Sequence, residues 1–219
     1  MKDFLPVLQS CSLFEGIKAE ELSDILACLA PRIIDAKTNA TILFEGDRAH
    51  LVGIVLSGGA QIISEDFYGN RNIVTHIGPG ELFGETFACA GVASLPVNVV
   101  ATCESKIMLL ECHRILTSCA NACGFHSRLI YNMLKVVATK NLIFHQKIEI
   151  TSKRTTREKI MAYLMVQAKL HGSDSFTIPF DRQQLADYLA VERSAMSAQI
   201  SQLQKDGIIK CRKNYFKLL

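Results

Sequence analysis

Hydrophobic residues change their spacing along the chain, and the changes divide it into segments. Between residues 10 and 30 the apolar positions recur at helical spacing until Pro31, which predicts a helical segment. Short β-branched runs follow and predict strands at residues 41–44, 51–56, 60–63, 72–77, 97–101 and 106–110. Glycine-containing turns separate them at residues 45–47, 57–59, 68–70 and 78–80. Many short strands with such turns indicate a compact β-roll or barrel.

A long helix is predicted from residue 125 to about residue 150, where no glycine or proline interrupts the chain. Its seam repeats at spacings of four and three, at Ile130, Leu134, Val137, Asn141, Phe144 and Ile148. This is the pattern of a two-stranded coiled coil, and a lone asparagine in it favours a dimer with a fixed register. We therefore expect a homodimer. The alternative is that this seam packs on the chain's own β-domain.

A second group of helices is predicted after a short, basic and polar linker at residues 151–159, which could act as a hinge. Thr155 and Glu158 have the spacing of a capping box, so a helix should begin there. Gly172 is placed to end it, because glycine readily takes the left-handed conformation that follows a helix.

Residues 181–203 predict two short helices joined by a tight turn near residues 190–191. Asp181 can cap the first helix, and the side chain of Gln184 can in return accept a hydrogen bond from the backbone N–H of Asp181. The second helix should bury Met196, Ile200 and Leu203, which turns a polar face outward. That face consists of Arg193, Ser194, Ser197, Ala198, Gln199 and Gln202. Short polar groups with one arginine suit base edges in a major groove, so a helix-turn-helix that binds DNA is predicted.

The residues around these helices predict a small sheet. Residues 176–178 can pair with the tail from residue 208, with Arg212, Lys213 and Asn214 near the tip of the hairpin. Basic residues there would contact phosphates, which position a protein on DNA without specifying sequence. The alternative is a solvated hairpin that contacts nothing.

The charge distribution favours DNA binding over an inert helical face. From residue 151 onward there are 12 Lys and Arg against 6 Asp and Glu, a formal charge of +6. Residues 1–150 hold 12 against 15, a formal charge of −3. One basic domain beside a mildly acidic one is what phosphate neutralisation requires. The remaining alternative for this region is a ligand-binding module whose helical domain binds another protein.

Length and composition place the chain among globular proteins. Its 219 residues, 49% of them apolar and 21% charged, can form two domains with a sizeable core. No apolar run approaches the ~20 residues of a membrane span, and the first residues lack the apolar stretch of a secretory signal. We therefore expect a cytoplasmic location with no membrane partner. In that compartment the eight cysteines would be reduced thiols.

The sequence resembles the bacterial transcription regulators of the cyclic-AMP receptor protein and fumarate-nitrate reductase regulator (Crp/Fnr) family. The resemblance spans nearly the whole chain and rests on Phe-Glu-Gly-Asp at 44–47, Val-Leu-Ser-Gly at 55–58, Gly-Glu-Leu-Phe-Gly-Glu at 80–85 and the block 178–197. It implies an α+β fold with a β-roll sensor domain, a dimerisation helix and a C-terminal winged helix-turn-helix. The corresponding boundaries are 1–124, 125–150 and 151–219.

The resemblance also implies which residues contact double-stranded operator DNA. The recognition helix should start near Glu192, and Arg193, Ser194 and Ser197 fall where family members contact bases or nearby phosphates. Ala198 departs from the arginine that is frequent there, and Gln199 could contact adenine. With the wing, the candidate DNA-binding residues are Arg182, Arg193, Ser194, Ser197, Gln199, Arg212 and Lys213. A member that activates transcription would also contact RNA polymerase.

The sensor domain lacks a residue that cyclic-nucleotide binders of the family have. Gly84 and Glu85 match the pair that holds the ribose, but residues 86–105 contain no Lys or Arg. A buried phosphodiester needs a cationic partner, so we expect a small effector other than a cyclic nucleotide. Glu85 could instead cap a local turn. The candidate effector-pocket residues are Gly84, Glu85, Thr86, Leu95, Pro96 and Val97, with Leu95-Pro96 where the family has an Arg-Ser or Arg-Ala pair.

Cysteine and histidine residues gather between residues 112 and 126. The candidate ligands for zinc, haem or an iron-sulfur cluster are Cys112, Cys119, Cys123 and His126, although their spacing fits no strong template and no metal is assigned. The alternatives are unreactive core thiols and redox-sensing thiols. Cys11 and Cys211 would be redox thiols only if exposed.

Catalysis is not expected. Metal-dependent oxygenases and isomerases share a similar roll but cluster histidines with a carboxylate inside it, whereas His50 and His76 lie alone on separate segments. No nucleophilic triad, phosphate loop or paired-carboxylate motif stands out in the sequence either.

Overall fold

The computed structural model describes residues 4–65, 71–117 and 125–219. The chain forms two compact units, Met1–Lys140 and Asn141–Leu219, each with its own hydrophobic core. Within the described residues, none of the helices is both long and apolar enough to cross a membrane.

The first unit begins with short helical segments. These are α1 (Leu5–Ser10), a 3-10 turn (Ser12–Phe14) and α2 (Ala19–Leu29). The helical segment predicted for residues 10–30 is therefore broken, because Gly16 takes a positive φ of 74° between the last two segments. Ala30 ends α2 in the left-handed conformation just before Pro31.

Two four-stranded antiparallel sheets build the β-roll. One has the order β1-β8-β3-β6 and the other β2-β7-β4-β5. The strands are β1 (Arg32–Ala36), β2 (Thr41–Leu43), β3 (Leu51–Ser57), β4 (Ala60–Glu65), β5 (Arg71–Ile77), β6 (Leu82–Phe83), β7 (Asn98–Ala101) and β8 (Ser105–Glu111). All six predicted strands are confirmed, while β1 and β6 were not predicted. The predicted turn at 68–70 lies outside the described residues.

The core between the sheets is apolar and tightly packed. Val55, Phe83, Leu95 and Ile107 are all buried there. A side chain at Gly53 would overlap the ring of Phe83, so glycine is required for this contact. Two short helices, α3 (Glu85–Ala90) and α4 (Cys112–Leu116), follow β6 and β8 and pack in a second core with α1 and α2.

The long helix α5 (Phe125–Thr151) is confirmed within a residue of its predicted bounds. Its first half packs on the first unit through Leu129, Met133 and Val136. The buried Asn132 donates hydrogen bonds of 2.9 Å to the carbonyl oxygens of Leu13 and Glu15. This half of the helix is thereby fixed to the amino-terminal segment.

The second unit contains the last turns of α5, three further helices and a small sheet. It contains α6 (Thr156–His171), α7 (Arg182–Leu189), α8 (Arg193–Lys205), β9 (Ser175–Thr177), β10 (Ile209–Arg212) and β11 (Tyr215–Leu218). The sheet order is β10-β11-β9, so the predicted pairing of residues 176–178 with the tail is confirmed. Thr155 and Glu158 form the predicted capping box of α6, and Gly172 ends the helix with a φ of 58°.

Candidate nucleic-acid interface and sensor site

The turn between α7 and α8 is built by local interactions. Asp181 accepts a hydrogen bond of 2.8 Å from the backbone N–H of Gln184, whose side chain in return accepts one from the backbone N–H of Asp181. Ala190 ends α7 with a φ of 51°, which lets the chain reverse into α8. Leu185 and Leu189 are buried with the inward residues of α8, so the two helices share one core.

Glu192 caps the amino-terminal end of α8. Its carboxylate accepts hydrogen bonds from the backbone N–H groups of Ser194 and Ala195, at 2.9 and 2.7 Å, and a further one from the Ser194 hydroxyl. The Ser194 contacts are the main reason why the pKa of Glu192 lies below its ordinary value. Two of the unpaired donors of the first turn are satisfied in this way.

The faces of α8 divide as the sequence predicts. Met196, Ile200 and Leu203 are buried, and Arg193 is exposed at the first position of the helix. Ser197 and Gln199 are half-buried at the flanks of the outward face. The structure therefore places an exposed arginine and short polar groups at the amino-terminal end of a helix whose opposite face packs in the domain core.

The tip of the hairpin between β10 and β11 is also accessible. Arg212 and Lys213 are exposed, and Lys213 takes a φ of 56° in the turn. Arg182 differs from the other candidate contacts, because its guanidinium lies 5.3 Å from the ring centre of Phe216 and donates a hydrogen bond of 3.2 Å to the sulfur of Cys211. Arg182 thus packs α7 against the hairpin.

Two lysines that the sequence did not single out hold this domain together. The Lys159 ammonium donates to the carbonyl oxygens of Leu189 and Ala190, at 3.4 and 3.3 Å, and so ties α6 to the turn. The Lys147 ammonium lies 4.9 Å from the ring centre of Tyr188, and burial lowers the pKa of this lysine. That second contact joins the end of α5 to α7.

The candidate effector-pocket residues do not share one environment. Leu95 is buried in the apolar core of the roll, and its backbone pairs with Gly46 and Asp47 at 2.9 and 2.8 Å. Val97 is buried and Pro96 is exposed. The side chain that occupies the position of the family's arginine is thus an apolar residue of the roll interior.

Glu85 does not cap a local turn, as one expectation held, but pairs with the long helix. It is 1% exposed, and its carboxylate lies 2.9 Å from the ammonium of Lys140 on α5, which also donates to the carbonyl oxygen of Leu82 at 2.6 Å. The hydroxyl of Thr86 donates to the same carboxylate at 2.9 Å. Gly84 precedes it with a φ of 79°, and a Cβ there would lie 2.7 Å from the carbonyl oxygen of Leu51. Glycine is therefore required at the start of α3.

Two family models match the chain in the order that this architecture demands. The cyclic nucleotide-binding domain matches residues 33–121, and the Crp-like helix-turn-helix domain matches residues 158–219. The chain belongs to the Crp/Fnr family of DNA-binding transcription regulators.

A curated relative is similar in sequence to this Crp/Fnr protein, and two solved structures share its fold. The chain is 24% identical over 184 residues to the transcriptional activator protein FnrL of Cereibacter sphaeroides, covering 77% of this chain and 68% of that protein. FixK2 from Bradyrhizobium japonicum has a TM-score of 0.62 at 18% identity, over 86% of this chain and 92% of that one. The c-di-GMP responsive global regulator CLP from Xanthomonas campestris has a TM-score of 0.70 at 19% identity, over 92% and 99%. The predicted α+β fold of the Crp/Fnr type is confirmed.

The cysteines of this Crp/Fnr protein lie in several separate surroundings. The sulfur of Cys112 lies 3.7 Å from that of Cys89, and the Nε2 atom of His126 lies 3.8 Å from the sulfur of Cys28. Cys119 and Cys123 lie outside the described residues. Among the residues that are described, no three His, Cys, Asp or Glu side chains gather as metal ligands would.

The two thiols named as redox candidates are not freely exposed. Cys11 is 1% exposed, and burial raises its pKa to about 11. It therefore lacks the exposure that a redox thiol needs. Cys211 is half-buried, and its thiol donates to the side chain of Gln204 at 3.3 Å.

Proposed function

We propose that this Crp/Fnr protein acts as a homodimer that binds operator DNA through α8 and is switched by an effector or redox event in its β-roll. The observation that supports this most directly is the exposed first turn of α8, held in helical geometry by Glu192 with Arg193 projecting from it. Because its target is chromosomal DNA, we also propose that it acts in the cytoplasm.

The proposed contacts with DNA fall into two kinds. Arg193, Ser194, Ser197 and Gln199 would read base edges, because arginine pairs with guanine and glutamine with adenine in the major groove. Arg212 and Lys213 at the tip of the hairpin would contact phosphates and set the position on the duplex. Arg182 would act indirectly through its packing on the hairpin, since its guanidinium is already engaged there.

The proposed dimer pairs α5 with its copy. The seam residues Leu134 and Ile148 are 67% and 64% exposed, although both are large and apolar. On a different face, the first half of the same helix buries Leu129 and Met133 in the core of the first unit, so one helix can serve two partners with two faces. The proposed interface consists of Ile130, Leu134, Val137, Asn141, Phe144 and Ile148. A two-fold dimer would present two copies of α8 to half-sites about 34 Å apart.

The proposed effector is not a cyclic nucleotide. A cyclic phosphate needs a cationic partner inside the roll, and the position that would supply it holds the buried Leu95. Glu85, which would hold a ribose, is paired with Lys140 instead. A switch requires an effector to bind one dimer arrangement better than the other, since equal affinity shifts nothing. If the protein activates transcription, RNA polymerase would be a further partner.

The test of this function is the variant Arg193→Ala. A duplex selected by the wild-type protein from a random library serves as the probe in a gel-shift titration, with light scattering measured in parallel. Each lost arginine contact is worth about 1–3 kcal/mol and the dimer has two, so we expect affinity to fall by about 30-fold or more while the dimer persists. Lys169→Ala removes the same charge from the exposed end of α6 and should change affinity little. Unchanged affinity in Arg193→Ala would contradict the proposal.

A further inference from the structure

Two cysteine sulfurs from distant parts of the sequence meet at one edge of the β-roll. The sulfur of Cys89 on α3 lies 3.7 Å from the sulfur of Cys112 on α4. We propose that these two residues form a redox-active dithiol, which an oxidant of the hydroperoxide class closes to an intramolecular disulfide. Formation of the disulfide does not depend on the proposed function, but its expected effect on DNA affinity rests on that function.

The fold brings the two residues together for reasons unrelated to their sulfur atoms. Cys89 lies one turn after Glu85 on α3, so both side chains share the face of that helix that packs in the second core. Cys112 follows β8 directly, and its backbone N–H donates to the carbonyl oxygen of His50 at 2.9 Å. A disulfide has an S–S length near 2.05 Å, so the sulfurs need to approach by about 1.7 Å.

The two thiols differ in access and in acidity. Cys89 is half-buried, whereas Cys112 is 4% exposed. Either thiol can donate in the contact between them; with Cys112 as the donor, a thiolate on Cys89 is stabilised, which lowers the pKa of Cys89 against the effects of burial and of the nearby Glu85 carboxylate. The same hydrogen bond raises the pKa of Cys112, with burial adding to the rise. Because Cys89 is the more accessible of the two, we assign Cys89 as the thiol that attacks an oxidant and Cys112 as the thiol that resolves the product.

The reaction balances with the peroxide as the two-electron oxidant. The Cys89 thiolate attacks the O–O bond, forms a sulfenic acid and releases an alcohol, or water in the case of hydrogen peroxide, once a proton is taken up. The Cys112 thiol then gives up its proton and attacks the sulfur of Cys89. The S–O bond breaks, the S–S bond forms, and the hydroxide leaves as water with that proton. A small dithiol would reverse the closure by exchange.

A route from the dithiol to the long helix exists on α3. Glu85 forms an ion pair with Lys140 of α5. The Lys140 ammonium also donates a hydrogen bond to the carbonyl oxygen of Leu82 in β6. A disulfide that draws α3 towards α4 would therefore change the geometry at the Glu85–Lys140 pair. For a protein that binds DNA as proposed, we expect oxidation to change DNA affinity by about 5-fold or more, the lower end of usual coupling between sites.

The test maps the disulfide in the full chain. Reduced protein is treated with hydrogen peroxide, digested with trypsin without reductant and analysed by mass spectrometry. Cleavage after Lys106 separates Cys89 from Cys112, and fragmentation of the cross-linked pair of peptides distinguishes a bond to Cys89 from one to Cys103, which lies on the same peptide. We expect two of the eight thiols to be lost, with a cross-link between these two residues that a dithiol reverses. Oxidation of other cysteines first, or a cross-link between chains, would overturn the proposal, and neither result depends on any variant.

Matched variants assign the two roles. Cys112→Ser should accumulate a sulfenic acid on Cys89 that a dione probe traps, and Cys89→Ser should lose both the probe signal and the cross-link. Cys103→Ser removes the exposed cysteine that shares a tryptic peptide with Cys89 and should retain the cross-link. A cross-link that persists in Cys89→Ser would refute the assignment.

The DNA-binding measurement separates this inference from the proposed function. Affinity for the selected duplex is measured for the reduced and the oxidised wild type and for peroxide-treated Cys89→Ser. We expect the reduced and the oxidised wild type to differ in their affinity for the duplex. We expect peroxide treatment to leave the affinity of Cys89→Ser unchanged. Absence of DNA binding in both redox forms would overturn the proposed function, while the peptide map would still decide the dithiol.

Discussion

Glu192 shows how one side chain can support both the fold of a helix and its use. A carboxylate at the amino-terminal end of α8 satisfies two backbone donors and interacts favourably with the helix dipole. It also keeps Arg193 at the first helical position, where the proposed base contact begins. The cost is a negative charge near the phosphates of the proposed ligand, which the exposed Arg212 and Lys213 can offset.

The capping role of Glu192 predicts an acid dependence of α8. Because the pKa of Glu192 in the folded protein is below the ordinary value of 4.5, the stabilisation is fully present above 4.5 and is lost as pH falls through the folded value. Hydrogen exchange at the amides of Ser194 and Ala195 should therefore accelerate as pH falls below 4.5, relative to amides in the middle of α6, away from its own carboxylate cap at Glu158.

The variant Glu192→Gln is the control for this dependence. Its single amide oxygen can accept from one of the two backbone N–H groups and does not titrate, so exchange should be faster than in the wild type at neutral pH but should stay flat, relative to α6, across the same pH range. An equal acid dependence in wild type and variant would show that another group controls the first turn of α8.

Sequence reasoning at the level of residues succeeded where partners are close along the chain. The capping boxes at Thr155 and Asp181 were predicted because each partner lies three residues away. The pair between Glu85 and Lys140 was not, because the sequence holds no signal that α5 passes beside α3. The contact between Cys89 and Cys112 depends on the same packing and was missed for the same reason.

At the scale of elements, α5 is the helix with two different surfaces. Towards its own unit it buries apolar side chains and the hydrogen-bonded Asn132. Leu134 and Ile148, which belong to the predicted coiled-coil seam, are largely exposed. Exposed apolar surface of this kind is typical of a partner interface.

The proposed dimer predicts a clear effect of Leu134→Glu. The substitution removes an apolar side chain from the seam and places two like charges close together across the two-fold axis. Each leucine contributes about 1.5–3 kcal/mol when buried, so we expect the dimer dissociation constant to rise by about 100-fold or more. Sedimentation over a range of protein concentrations measures this constant.

The matched control for the dimer is Thr139→Glu. Thr139 is also exposed on α5 but lies outside the seam, so the same added charge should leave the dissociation constant nearly unchanged. A wild-type chain that stays monomeric, or equal effects of the two substitutions, would show that the seam does not form the interface.

The elements that sequence reasoning missed are those with little hydrophobic pattern. Strand β1 buries only Ala36 among its five residues, and β6 is two residues long, so neither produces the alternation that marks a strand. The interruption at Gly16 was hidden by apolar residues that continue at helical spacing on both sides of it. The longer strands and α5 have strong periodic patterns and were predicted correctly.

At the scale of the whole molecule, charge separates the two functions. The acidic part up to residue 150 contains the β-roll, which is the proposed sensor, and the basic part from residue 151 contains the helices that would contact DNA. This asymmetry was visible in the sequence, together with motifs specific enough to indicate the Crp/Fnr fold. The identity of the effector was not, because the roll interior is filled by apolar side chains that indicate no ligand chemistry.

The central claim is that two copies of α8, related by two-fold symmetry, bind duplex DNA. Selection of binding sequences by the wild-type protein from a random duplex library, followed by sequencing, tests it most directly. The account predicts an inverted repeat whose half-sites are centred about one helical turn apart, some 10–10.5 base pairs, and which Arg193→Ala fails to enrich. No enrichment, or a single half-site without symmetry, would contradict the account.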